Sequence, residues 1–126
     1  MTEDRSRATR DGRGARDRGA ATAEFAMVLP AFVLVLVLVC GAASIGLAQL
    51  QAYDGARGGA REAARGETER QVVHEARERA GEEAEVTVSR SGGYTTVEVE
   101  LPVPETLHFI TETVSAEATA RTEDGR

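Results

Sequence analysis

The chain lacks tryptophan and lysine, holds one cysteine, and has three phenylalanines and two tyrosines among its 126 residues. A single cysteine excludes an intrachain disulfide. Cys40 follows Val37, Leu38 and Val39, so the small residues that precede a lipoprotein cysteine are missing, and it reads as a small buried hydrophobe. So few aromatics leave only a thin core for the stretch from Asp54 onward. A core that small calls for a staple, an assembly partner or docking on a helix. Catalytic constellations are missing too. His74 lies in an acidic helical stretch and His108 in a link, with no Cys/His spacing for zinc. Glu82, Glu83 and Glu85 lack the Asp/Asn spacing around a Gly turn that a calcium loop needs. Neither a phosphate loop nor a basic patch with interleaved aromatics is present. The expectation is a protein that is no enzyme and has no cofactor, no metal, no small-molecule substrate and no nucleic-acid partner.

What the chain does have is asymmetry. The formal net charge is −6, yet the stretch before Gly19 is net basic: Arg5, Arg7, Arg10, Arg13, Arg16 and Arg18 stand against Glu3, Asp4, Asp11 and Asp17. The stretch after Asp54 is acid-rich. From Phe25 to Tyr53 there is no charged side chain. About 20 apolar residues span the hydrocarbon of a bilayer. The run exceeds that, which implies tilt or extension beyond the membrane. It is also longer than a secretory h-region of about 7–15 residues, although Gly41, Ala42, Ala43 and Ser44 leave open a small secreted protein cut near Ala43. The expected organisation is a basic disordered leader over 1–19, a transmembrane helix over 20–53 and a small extracytoplasmic domain over 54–126. Flanking Arg counts favour a cytoplasmic N-terminus, since only Arg57, Arg61, Arg65 and Arg70 follow the run closely. Ala42 and Gly46 offer a small-residue face for helix contact.

Beyond the run, Tyr53, Ala56, Ala60, Ala63 and Ala64 recur at helical spacing on one face. Gly55, Gly58 and Gly59 weaken that helix. Arg57, Arg61 and Arg65 form a stripe that calls for an anionic neighbour, whether lipid headgroups, Glu62 and Glu69, or another subunit. Otherwise the stripe is a solvated face. Gly66 marks a break. A second helix is expected from about Glu67 to Ala80, burying Val73, Ala76 and Ala80 and ending on Gly81. Val86 and Val88, then Val97, Val99 and Leu101, alternate with polar residues around Ser91-Gly92-Gly93, which signals a β-hairpin. Pro102 and Pro104 end its second strand. After a link with Leu107, Phe109 and Ile110, the alternation of Val114, Ala116, Ala118 and Ala120 predicts a third strand. The fold class is α+β: a long N-terminal transmembrane helix extending outward, a short second helix and a small antiparallel sheet of about three strands.

One stretch carries more. RGAATAEFAMVLPAFVLVLVLV places Gly19 after the basic leader, Glu24 about one turn beyond Ala20, Phe25 next to it, and Pro30 inside the apolar helix. Gly19 has no side chain and leaves the backbone free to extend. The Arg-rich leader stays out of lipid and holds Gly19 at the membrane face. A carboxylate at the apolar boundary is costly unless paired. Pro30 removes one backbone hydrogen bond and is expected to kink the helix.

With Thr22, Glu24-Phe25-Ala26, Val28-Leu29-Pro30, the Ala60–Arg65 segment AREAAR and the weaker Ala116–Arg121 segment AEATAR, the chain resembles the TadE-like proteins. These are minor pilins or pseudopilins of the tight-adherence (Flp) type IV pilus. The resemblance covers roughly residues 18–66 and 112–123. It implies a pilin-like fold and cleavage between Gly19 and Ala20 by a prepilin peptidase. It also implies pairing of Glu24 with the Ala20 amine of a neighbouring subunit, and assembly roles for Phe25 and Pro30. The implied partners are membrane lipid, other pilin or TadE-like subunits and the Tad secretion machinery. The implied location is the cell membrane, single-pass, with possible incorporation into a surface pilus. The short head without a cysteine pair fits a minor subunit better than a major adhesive pilin. On residues alone, Glu24 equally complements the helix dipole, by about 0.3–1 kcal/mol. A generic single-pass envelope protein with a small extracytoplasmic binding domain stays open.

Overall fold

The computed structural model describes residues 8–122, with side chains described from Gly14 onward. Helix α1 runs Ala8–Ala64 and continues through Pro30. It begins earlier than expected: residues 8–19, read from composition as disordered, are helical. Extending an existing helix adds one hydrogen bond per residue fixed, without a new nucleus, and Ala and Arg rank high in helix propensity. The first residues of the leader lie outside the described residues.

Two compact units divide the chain, one up to Cys40 and one over Gly41–Arg126. In the first, the apolar side chains have nothing packed over them. Phe25 is 68% and Met27 81% exposed, and Phe32 and Val35 are similarly open. The most apolar 18-residue window of α1 has mean hydropathy 2.8 and is 6% buried. A core helix of a soluble protein would be covered, so this stretch has the length and composition to cross a membrane.

The second unit starts at Gly41, well before Asp54, because its core draws on the later turns of α1. That helix stops in a Schellman motif. Gly66 takes φ +81°, its N–H donates to the Ala63 carbonyl, and the Glu67 N–H reaches back to Glu62. Only a residue without Cβ takes this conformation cheaply. Helix α2, Glu69–Ala80, then starts from a capping box in which the Gln71 N–H donates to the Thr68 hydroxyl and the Thr68 N–H to the Gln71 side chain. It ends on Gly81, at φ +115°.

Three strands follow: β1 (Glu85–Ser91), β2 (Tyr94–Pro102) and β3 (Thr113–Arg121). They form one antiparallel sheet in the order β1-β2-β3. Ser91 pairs with Tyr94 around a two-residue turn, Gly92 and Gly93, both at positive φ, which matches the right-handed twist of the strands. A 3-10 turn at Glu105–Leu107 links β2 to β3.

The core lies between the later part of α1, α2 and one face of the sheet. Ala52, Ala56, Ala60 and Ala63 meet Val72, Ala76 and Ala80, with Val97, Val99, Leu101, Val103, Leu107 and Val114 closing over them. In α2 the fully buried valine is Val72, followed at four-residue steps by Ala76 and Ala80. Val73, expected there, is half-buried. On α1, Tyr53 stays 41% exposed while Ala52 and Ala56 are fully covered. Val72, Val97 and Val99 are the largest fully buried apolar side chains, each contributing about 1.5–3 kcal/mol of burial. Thr95, buried in β2, shares a hydrogen bond with the Thr122 hydroxyl.

Candidate functional site

Gly19, Ala20, Glu24, Phe25 and Pro30 all lie on α1 in the first unit, and each is exposed. A methyl placed on Gly19 would meet nothing within 4 Å. The bond after Gly19 is therefore uncovered, but it is held in helical backbone rather than extended. A protease that reads extended substrate has to unwind this turn. Next to it the Thr22 hydroxyl donates to the Arg18 carbonyl at 2.8 Å, a back-bond that loosens helices slightly. Glu24 stands about one turn beyond Ala20. Among the described residues no cation pairs with it within 4.0 Å. It sits immediately before the apolar run, where an unpaired carboxylate is costly in lipid. Pro30 leaves the Ala26 carbonyl without its usual donor.

The second unit contains a feature the sequence reading undervalued. Gly55 and Gly59 are close-approach positions, not merely weak points of the helix. A methyl on Gly55 would lie 2.7 Å from Ala80 Cβ and 2.8 Å from the Ala76 carbonyl oxygen. One on Gly59 would lie 3.0 Å from Val97 and 3.3 Å from the Val72 carbonyl oxygen. Bare backbone at these points lets α2 lie directly on α1. At Gly58 the side chain of Arg79 lies across the helix. Arg79 Nε donates to Glu75 at 2.6 Å, and its guanidinium is 4.0 Å from Asp54. The hydrogen bond to Glu75 and the Glu75 charge push Arg79 further above its ordinary value. The signal that would have found this face was the run Ala52, Gly55, Ala56, Gly59, Ala60, Ala63, small residues at helical spacing.

Of the predicted Arg stripe, Arg57 stacks over Tyr53 at 4.4 Å and Arg65 pairs with Glu62 at 3.1 Å. Gln49 Nε2 donates to the Ser115 carbonyl at 2.7 Å, tying α1 to β3. Among the described residues, no group of three His, Cys, Asp or Glu side chains is placed to hold a metal ion.

Residues 19–65 match the sequence profile of the family described as TadE-like protein. The match opens on Gly19 and closes one residue after α1, so it takes in both the Gly19–Pro30 segment and the Gly/Ala face. The β3 segment, which also resembled the family, falls outside it. No curated protein and no solved structure matches the chain.

Proposed function

We propose that this chain is a pilin-like structural or assembly subunit of a Flp/Tad type IV pilus, anchored in the cytoplasmic membrane by α1 and processed after Gly19. The observation that carries this reading is the TadE-like match over residues 19–65, which starts at the glycine of the proposed cleavage. Glu24 follows about one turn later, at the inner end of an exposed apolar helix.

The function is mechanical. Removal of the leader leaves a positive amine on Ala20. That amine neutralises Glu24 of a neighbouring subunit, so the pair sets axial register while the apolar face of α1 packs on other pilin helices. Phe25 and Pro30 shape that packing surface. The head, from Gly41 onward, faces outward with the N-terminus inside. Prepilin peptidase performs the only covalent step, and the Tad secretion machinery supplies the energy of export. This chain performs no catalysis of its own.

The test is the natural N-terminus. Mass spectrometry of the protein from cells with an active prepilin peptidase is expected to give a chain beginning at Ala20, and Gly19→Leu is expected to leave the precursor uncut. An intact leader in such cells, or full processing of Gly19→Leu, removes the pilin reading and leaves a single-pass envelope protein.

A further inference from the structure

We propose that the loop carrying Phe109 and Ile110 inserts into the membrane interface beside α1, a second apolar anchor that sets the height of the head against the lipid surface. The inference rests on the membrane-anchored part of the proposed function and goes beyond it.

Three observations place the loop there. The Leu107 side chain covers Gly41: a methyl on Gly41 would lie 2.8 Å from Leu107 Cδ2. Counting about 20 residues from Phe25, the length that crosses the hydrocarbon, the far boundary falls near Ser44. Gly41 lies about one helical turn short of that limit, so Leu107 covers α1 at the edge of the hydrocarbon, with the rest of the loop at the headgroup boundary.

Next to Leu107, Phe109 is 75% and Ile110 54% exposed. Two large apolar residues adjoin in a link whose other large apolar side chains, Val103 and Leu107, are buried. Exposed apolar surface also continues on α1 past Gly41, with Leu47 57% and Leu50 63% exposed. Apolar side chains on α1 therefore stay exposed beyond Gly41, the residue that Leu107 covers.

The loop's own hydrogen bonds suit a partly dehydrated site. The N–H groups of Leu107, His108, Ile110 and Thr111 donate to carbonyls of Pro104, Glu105 and Leu107, and His108 Nε2 donates to the Val103 carbonyl at 2.7 Å. Backbone already paired within the turn loses little on leaving water. Glu105 and Glu112, both exposed at the loop ends, limit the depth: they hold the segment at the headgroup level and keep it out of the hydrocarbon. The link from Glu105 to Glu112 carries no Lys or Arg, and the His108 ring is engaged with the Val103 carbonyl, which makes zwitterionic rather than anionic lipid the natural occupant.

The chain has no tryptophan, so one introduced residue reports its own surroundings. The full chain is reconstituted in phosphatidylcholine vesicles with Phe109→Trp, Ile110→Trp, Val35→Trp or Tyr94→Trp. Val35 reports the span and Tyr94 the hairpin tip. The expected result is blue-shifted emission at positions 109, 110 and 35, quenched by brominated lipid and shielded from acrylamide, with Tyr94→Trp unaffected by the bromine. Quenching at 35 with water-exposed emission at both 109 and 110 overturns the inference and leaves the membrane anchor standing. No bromine quenching at any position removes both. A blue shift at 109 and 110 that grows with protein density and ignores brominated lipid means that another copy of the chain covers the loop, and this too overturns the lipid assignment.

Discussion

Between Phe25 and Val39, helix α1 carries large apolar side chains that are 48–81% exposed. Between Ala52 and Ala63, the same helix carries Ala and Gly that are nearly all buried. The first stretch has big side chains and no protein neighbour in its unit. The second presents almost no side chain on its buried face and has neighbours at van der Waals distance there. Size here answers to the surroundings. Where the chain supplies no cover of its own, bulk leaves a broad apolar surface. Where the chain supplies its own α2 and sheet, bulk would hold them off.

Matched substitutions in the two stretches test this contrast, each read as chaotrope unfolding of the full chain in micelles with exchange of the β2 amides. The largest effect is expected from Gly55→Val, which drives methyls into the Ala76 carbonyl and Ala80 and costs about 3 kcal/mol. Gly46→Val, with nothing within 4 Å of its added Cβ, is expected to leave the head intact. Equal effects at both sites would break the comparison. Next comes the pair Val97→Ala and Val35→Ala. Val97 is fully buried, and losing two methyls there costs about 2 kcal/mol. Val35, at 57% exposure, contributes nothing to head stability. The smallest difference is between two threonines. Thr68 closes the α2 capping box, so Thr68→Ala costs about 1 kcal/mol. Thr22 back-bonds to Arg18 inside α1, and its replacement by Ala is expected to be neutral or mildly favourable to the helix.

Periodicity made much of this structure legible. The hairpin was readable because Val86/Val88 and Val97/Val99/Leu101 alternate around two glycines, and β3 because Val114 to Ala120 alternates likewise. The break at Gly66 and the stop at Gly81 were readable because only glycine fits those turns without strain. Three things were not. Val72 and Val73 are adjacent, and only the approach angle of α2 decides which one faces α1. Gly55 and Gly59 read as weak helix formers because propensity is a local property, whereas their value lies in an α2 backbone many residues away. The second unit begins at Gly41, a residue that Leu107 covers, and no local pattern links positions so distant. As for the candidate site, its residues were named from the sequence, which also suggested an accessible bond at Gly19. That this bond lies within a helical turn was not apparent.

The hydrogen bond from Gln49 to Ser115 joins residues 66 positions apart. It sets a schedule for biosynthesis. The central strand, β2, has one of its two flanks supplied by β3, the last strand among the described residues, so the sheet cannot be completed while the ribosome is still making the earlier part of the head. Closing so long a loop also carries an entropic toll that only finished packing repays. Until then β2 has only β1 beside it, and the sheet lacks the strand that Gln49 ties to α1.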